Sequence, residues 1–485
     1  MFCQKQDNRS NVTGHAYILT LISICRKIEV VATKLARFVA KPRGDFATLL
    51  SISSQNLLIL NSNKLSVIIK RMSDKTLEKL IKAEIKRQKD TINLIPSENI
   101  ASKAVLKALG SPLTNKYSEG YPGKRYYAGN KIIDQIEVLA QERARQVFHL
   151  NKNWHVNVQA YSGSPANLAI YYALLQPGDK IMAMNLISGG HLTHGAKVNF
   201  SGRFYKAVHY GVKKDGWLDY EEIEKIAKKE KPKIIIAGAT AYPRIIDFKK
   251  FGKIAREVNA YLMADISHIA GLIASGVHPS PFPYADVAMT TTHKTLRGPR
   301  GAIIFANRQS LIAKRNKIDI ASAIDRAVFP GLQAGPHDNQ TAAIAICLNE
   351  ALQPSFKKYS HQIVKNAKTL AHELQKLGFD LVSNGTDNHL MLIDLNNLDI
   401  SGREAQDKLE NVGIIVNCNT IPYETRSAFD PSGIRLGTPV ITSRGMKEKE
   451  MRKIAELIYR VLIKKENLTS IKREVKRICQ QFPVG

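Results

Sequence analysis

The stretch Ala285-Asp286-Val287-Ala288-Met289-Thr290-Thr291-Thr292-His293-Lys294-Thr295-Leu296-Arg297-Gly298-Pro299-Arg300-Gly301-Ala302-Ile303-Ile304-Phe305-Ala306 reads as strand, turn, strand. The apolar runs 285–289 and 302–306 are short and bounded by turn residues, as buried strands are. Between them stands one lysine, Lys294, at the end of the first run and ahead of a turn rich in Gly and Arg. A lysine fixed between two buried strands is poorly solvated, which favours its neutral amine. A neutral, positioned amine is what Schiff-base chemistry needs. His293 and the hydroxyls of Thr291 and Thr292 stand ready to hold a phosphate near that amine.

Outward from this stretch, short apolar runs alternate with helical periodicity. Runs at 156–158, 180–184, 234–237 and 261–264 read as strands, and helical spacing covers 132–148, 165–175, 220–229 and 248–258. Helices between short apolar strands predict an α/β domain, a mostly parallel sheet with helices on both faces. Past Thr341 a helical stretch runs to Leu377, and strands at 390–395 and 412–417 predict a smaller C-terminal α/β domain. Upstream, Ser73 or Asp74 caps a helix over 75–88.

Other chemistry-bearing residues fall at the ends of these elements. Asp265 closes the run 261–264, and a carboxylate at the carboxyl edge of a parallel sheet points into the crevice where ligands bind. Capping of the next helix is the plainer alternative. Ser162-Gly163-Ser164-Pro165 follows a strand and opens a helix; Pro165 suits the first turn, and the exposed N–H groups make an anion site. Gly189-Gly190-His191-Leu192-Thr193-His194-Gly195 carries two histidines without a third ligand nearby, so no metal site is expected. Asn115 to Tyr127 packs four tyrosines and Glu119 into a turn-rich segment, suited to packing or to substrate contact. Arg435, in Ser432-Gly433-Ile434-Arg435-Leu436-Gly437-Thr438-Pro439, offers a guanidinium fork for a carboxylate; a surface ion pair is the ordinary alternative.

The lysine string resembles the pyridoxal-phosphate lysine segment of the serine hydroxymethyltransferase (glycine hydroxymethyltransferase) family, and the likeness extends from about Met72 to about Gly445. The resemblance implies a fold-type I pyridoxal-phosphate enzyme, with a mostly parallel seven-stranded sheet in the large domain. It implies that Lys294 carries pyridoxal 5'-phosphate as an internal aldimine, that Asp265 pairs with the ring nitrogen, and that His268 lies near the ring hydroxyl. His191 then stacks on the ring, while Ser162, Gly163, Ser164, His293 and Gly335 serve the cofactor, Gly335 across a subunit interface. Ser97 and Arg435 match residues that hold the amino-acid carboxylate, and Leu186, Leu192 and Asn419 match folate-side positions. Glu119 matches the acid that handles a proton, and Tyr117 and Tyr127 match residues supplied by the neighbouring subunit. The family usually has two glycines where this chain has Ala334-Gly335, a change that requires a negative φ at Ala334. The implied reaction is the reversible conversion of L-serine and tetrahydrofolate to glycine and 5,10-methylenetetrahydrofolate, in a homodimer or homotetramer. A folate-independent threonine or β-hydroxy amino acid aldolase of the same cofactor class is the nearest rival. Glu119, Leu192 and Asn419 count against it.

The composition sets outer bounds. The chain has 485 residues, 44% of them hydrophobic, enough for a large core, and no apolar run long enough to span a bilayer. Cys3, Cys25, Cys347, Cys418 and Cys479 are far apart, which excludes a disulfide framework and a zinc motif and suits a reducing compartment. The net charge is +29. Nucleic-acid binding on a basic enzyme scaffold is one reading, but the basic clusters lack interleaved aromatics, so a Lys-rich solvated surface is favoured. Residues 1–71 carry eleven Lys/Arg against three acids and read as a leader outside the resemblance. Three readings fit it: an upstream stretch before a true start at Met72, an organellar targeting segment, or a disordered extension. The first is favoured, with a cytoplasmic location; the second would make the protein mitochondrial. The expected division is 1–71 leader, 72–113 helical arm, 114–350 large cofactor domain and 351–485 small domain.

Overall fold

Strand alternation decides which face of the main sheet each side chain serves. In the computed structural model, which describes residues 74–484 and to which every count refers, the largest sheet has seven strands. Their order is Trp154–Asn157, Ala302–Asn307, Val287–Thr291, Tyr261–Asp265, Ile234–Ala237, Lys180–Met184 and Lys206–Tyr210. Only Ala302–Asn307 runs against the others. Ile181, Ile236, Met263 and Ile304 pack on one face with helix Gly163–Leu174. Met182, Ile235, Leu262 and Phe305 pack on the other with helices Phe248–Glu257 and Asp338–Ala351. A sheet covered on both faces needs apolar residues at consecutive positions, which is why these strands read as unbroken apolar runs. Full burial of a side chain such as Phe305 contributes about 2–3 kcal/mol.

The structure moves several predicted boundaries. The strand before the lysine is Val287–Thr291, two residues later than its apolar run suggested. The helical stretch past 341 is two helices, Asp338–Ala351 and Pro354–Lys376, with Pro354 in the first turn of the second, where its missing N–H costs nothing. Segment 412–417 divides: Ile414–Ile415 pairs in parallel with Ile92–Asn93, and Asn417–Asn419 joins a second sheet. The readings of residues 1–71 and of a start at Met72 lie outside the described residues.

That second sheet is antiparallel, in the order Asp380–Leu381, Leu390–Asp394, Gly433–Gly437, Asn417–Asn419. Helices Pro354–Lys376, Glu448–Leu462 and Leu468–Gln481 cover it, and Ile92 and Leu94 enter the same core. The two lobes meet along a polar seam. Asp387 N and Thr386 Oγ1 donate to the carbonyl of Pro243 at 2.9 and 3.1 Å. Asn388 Nδ2 donates to Tyr242 O at 3.0 Å, and Arg244 Nη1 to Asp387 Oδ1 at 2.9 Å. From Ala83 onward the chain makes one compact unit. Helix Lys75–Asp90 is capped by Asp74, whose Oδ1 accepts from Thr76 N and Leu77 N. It buries none of its residues and exposes Leu77, Leu80, Ile81 and Ile85 at helical spacing. No helix among the described residues is long and apolar enough to cross a membrane.

Candidate active site

The parallel strands end on one side of the sheet, and a cavity of about 130 Å³ opens there. Each of its walls follows from a strand ending. Tyr261–Asp265 delivers Asp265, Ser267 and His268; Val287–Thr291 delivers Thr291, His293 and Lys294; the turn after Trp154–Asn157 delivers Ser162, Gly163 and Ser164. Asn167 and the loop residues His191 and His194, with Ala239, Thr240 and Arg300, complete the lining. Two glycines make this crowding feasible. A Cβ on Gly163 would stand 2.6 Å from Thr291 Cγ2, and one on Gly238 would stand 2.3 Å from the Asp265 carbonyl oxygen.

Lys294 lies three residues past its strand, with Nζ donating to Thr291 Oγ1 at 3.0 Å. Burial pulls its pKa down to about 8; Asp265 opposes this, while Arg435 and Arg300 reinforce it. The turn is locked from behind, because Asn99 Nδ2 donates to the Lys294 carbonyl at 2.7 Å and Gly298 N to Thr292 O at 2.7 Å. One sequence expectation changes here. The Thr292 hydroxyl is fully buried and donates to Pro299 O at 2.6 Å, so it is not offered to a phosphate.

Asp265 is buried, and burial alone would push its carboxyl up. Hydrogen bonds and charge from His194, His191 and Ser267 outweigh that and hold it far below the usual carboxylate range. His194 Nδ1 accepts from His191 N at 3.2 Å, so its proton sits on Nε2, which faces Asp265 Oδ2 at 3.1 Å. Asn167 Nδ2 adds a donor to the same oxygen at 3.0 Å, and Ser267 N donates to Oδ1 at 3.1 Å. Both nitrogens of His194 are thus engaged, Nδ1 by the His191 backbone and Nε2 by the carboxylate. His191, which burial drops to a pKa of about 4, accepts at Nδ1 from the Thr193 hydroxyl at 2.7 Å. His293 is lowered to about 3 by burial and by Lys294, and its Nδ1 has no partner.

Helix Gly163–Leu174 begins at the cavity with Ser162 as cap residue, and no side chain satisfies its first N–H groups. Open donors at a helix start suit a phosphate. An ionised, fully hydrogen-bonded Asp265 suits a protonated pyridine nitrogen, and a desolvated lysine amine suits an aldehyde. The residues present therefore fit pyridoxal phosphate.

Arg435 is buried, bonded through Nε to Asn417 Oδ1 at 3.1 Å and through Nη1 to the carbonyl of Thr240, a cavity residue, at 2.6 Å. It makes no ion pair with a carboxylate among the described residues, and burial brings its pKa down to about 10. A buried cation without a counter-ion is costly, so the position favours an anionic ligand.

Other predicted residues stand outside this cavity. Ser97 lines a neighbouring recess of about 300 Å³ that shares His293 and Arg300 with it. Leu186 and Leu192 are exposed, and Asn419 bonds through Nδ2 to Thr420 O, with Thr420 Oγ1 donating to Ile187 O. Tyr117 and Tyr127 form an exposed edge-to-face pair, centroids 5.2 Å apart. Gly335 lies against the Tyr117 ring, its carbonyl accepting from Tyr161 OH at 2.7 Å. Neither Ala334 nor Gly335 takes a positive φ, so the alanine fits without strain. Asn99, Asn167, His194 and Thr240 were missed as site residues. Asn167 and His194 stood inside stretches read for other reasons, the anion-site helix and the two-histidine loop, with nothing local to show their roles.

A model of the family described as Serine hydroxymethyltransferase matches residues 70–458. The chain belongs to the serine hydroxymethyltransferase family. Serine hydroxymethyltransferase of Desulfotalea psychrophila is 56% identical over 416 residues, covering 85% of this chain and 95% of that protein. Serine hydroxymethyltransferase of Acidothermus cellulolyticus is 54% identical over 421 residues, covering 85% and 96%. Serine hydroxymethyltransferases are fold-type I enzymes that use pyridoxal phosphate and folate, and the α/β architecture with its seven-stranded sheet agrees with that class.

Proposed function

We propose that this cavity binds pyridoxal 5'-phosphate and carries the family's reaction, L-serine and tetrahydrofolate to glycine and 5,10-methylenetetrahydrofolate. The observation that carries the proposal is the meeting of three groups in one cavity: a desolvated amine (Lys294), an ionised buried carboxylate (Asp265) and an uncapped helix start (Ser162 to Ser164). When bound, pyridoxal phosphate supplies an electron sink for the charge left as the hydroxymethyl carbon departs.

The chain's own residues do the rest. Lys294 offers the attachment point. Asp265 holds a proton on the pyridine nitrogen, and His194 and Asn167 keep Asp265 aimed and ionised. His191 would stack on the ring and His268 would stand by its hydroxyl, both from the cavity wall. The Ser162–Ser164 donors and His293 take the phosphate, joined by Gly335 of a neighbouring subunit. Arg435 holds the serine carboxylate with Ser97 and thereby orients the bond to be broken. Glu119 holds and moves the proton at the hydroxymethyl oxygen or folate nitrogen, with Tyr117 and Tyr127 beside it. Leu186, Leu192 and Asn419 border the folate. The exposed tyrosines and the apolar stripe of helix Lys75–Asp90 support at least a homodimer, and a cytoplasmic setting suits free Cys347, Cys418 and Cys479.

Titration of the purified protein with pyridoxal phosphate, then glycine, then tetrahydrofolate tests the proposal. The expected result is a bound-cofactor absorbance band that Lys294→Ala lacks, and a second band that grows only when glycine and folate are both present. A band indifferent to folate points to the aldolase instead.

A further inference from the structure

We propose that His389, carried by the four-stranded lobe, fixes His268 as the tautomer with its proton on Nε2, so that His268 presents an N–H donor to the cavity. His389 is a positioning residue in this account. It lines no part of the cavity and acts through His268.

His268 Nδ1 and His389 Nε2 are 3.2 Å apart, and the two rings, with centroids at 5.4 Å, are both buried. Burial, reinforced by Lys294 and Arg435, keeps both rings neutral. One proton therefore lies between two neutral imidazoles, and only two arrangements exist. If His268 donates from Nδ1, His389 must carry its own proton on Nδ1. That atom is buried and has no hydrogen-bond partner, so the arrangement strands an N–H in the interior. If His389 donates from Nε2, its Nδ1 is a bare lone pair and no donor is stranded. Orphaned buried N–H groups are rarer than under-used acceptors. The second arrangement is favoured. It leaves His268 accepting at Nδ1, so its proton is on Nε2, the nitrogen left for the cavity.

Both rings are held in place by their backbones. The His268 carbonyl accepts from Thr295 Oγ1 at 2.9 Å, which ties it to the lysine turn. The His389 carbonyl accepts from Thr438 N at 3.0 Å, and the preceding Asn388 is bonded across the seam to Tyr242. The seam thus sets the polarity of a hydrogen bond at the cavity wall. A donor there suits an anionic oxygen on the ligand, such as a phenolate. The identity of that oxygen rests on the pyridoxal-phosphate reading, whereas the tautomers belong to the protein.

The test is a long-range proton–nitrogen correlation spectrum of the protein labelled with ¹⁵N-histidine, with and without pyridoxal phosphate. His268 and His389 are assigned by the signals lost in His268→Asn and His389→Asn. The expected result is the Nε2–H pattern at both rings in the unliganded protein. An Nδ1–H pattern at either ring overturns the proposal, whether or not the cofactor binds. His389→Phe should lose the single Nε2–H pattern at His268, and His389→Gln, whose amide N–H reaches the same place, should restore it. A His268 pattern unchanged in a His389→Phe protein that melts like the parent also overturns it. Failure of pyridoxal phosphate to bind would sink the functional reading and leave the tautomer result standing.

Discussion

The cavity and the tyrosine-rich segment 115–127 solve opposite problems. In the cavity, most charged and polar side chains find partners within the same chain: Asp265 with His194, Asn167 and Ser267, Lys294 with Thr291. In the segment, Tyr117, Tyr126 and Tyr127 are about half exposed or more. The backbone behind them is nonetheless clamped. Arg125 bonds to Asp134 at 2.8 Å, to Glu137 at 2.6 Å and to the carbonyls of Ser118 and Gly120. Gln159 holds Gly120 and Glu137 as well, and Ser118 Oγ donates to Asp338. Exposed aromatics on a rigid support suit contact with a partner surface. One region satisfies most of its polar groups internally; the other leaves aromatic surface uncovered.

The largest expected effect comes from the self-contained region. Lys294→Ala should abolish serine–folate transfer and the bound-cofactor absorbance together. Glu119→Gln should keep that absorbance and lower kcat by about 10²–10⁴-fold, the usual contribution of a positioned acid or base. Mixing the two inactive proteins under subunit exchange then breaks or sharpens the comparison. Activity should return, because a hybrid site can take Lys294 from one chain and Glu119 from its partner. No recovery after confirmed exchange would put both residues in one subunit.

Smaller effects follow from the support and from burial. Burial pushes the Glu137 carboxyl up against the pull of Arg125, and the pair is almost wholly out of solvent. Arg125→Met leaves that acid unpaired and should cost about 3–5 kcal/mol, measurable by urea unfolding. Lys294→Met should act in the opposite direction. Folding lowers the lysine pKa from 10.5 to about 8. Below the folded value the buried ammonium destabilises the native state; between the two values the unfolded chain binds more protons, so stability rises with pH. The methionine variant should therefore exceed the parent apoprotein by about 3 kcal/mol near neutral pH. The gap should close as pH climbs past about 8, and a gap independent of pH would mean that folding leaves the amine's pKa unshifted, as for a well-solvated lysine.

How much of this was legible in the sequence depended on burial. Strands covered on both faces advertise themselves as apolar runs, so Lys180–Met184 and Ile234–Ala237 were read to the residue. Edge strand Lys206–Tyr210, with Lys206 and His209 exposed, offered no such run and was missed. Gly433–Gly437 was noticed for Arg435 and not as a strand, because glycines at both ends disguise it. Lys294, Asp265 and the Ser162 turn carried local signatures, and the structure brings them to one cavity. His194, Asn167 and His389 did not, since their roles come from partners 71, 98 and 121 residues away in the chain. No local pattern encodes a contact of that span.

The seam has a consequence for inheritance. The carbonyls of Thr240, Tyr242 and Pro243 all accept from the four-stranded lobe, through Arg435, Asn388, Thr386 and Asp387. A lobe grafted from another lineage would have to supply each donor in register, or leave buried acceptors unmet at about 1–3 kcal/mol apiece. Crossovers between the lobes are thus penalised before any catalytic residue is touched, and the two halves behave as a single unit of recombination.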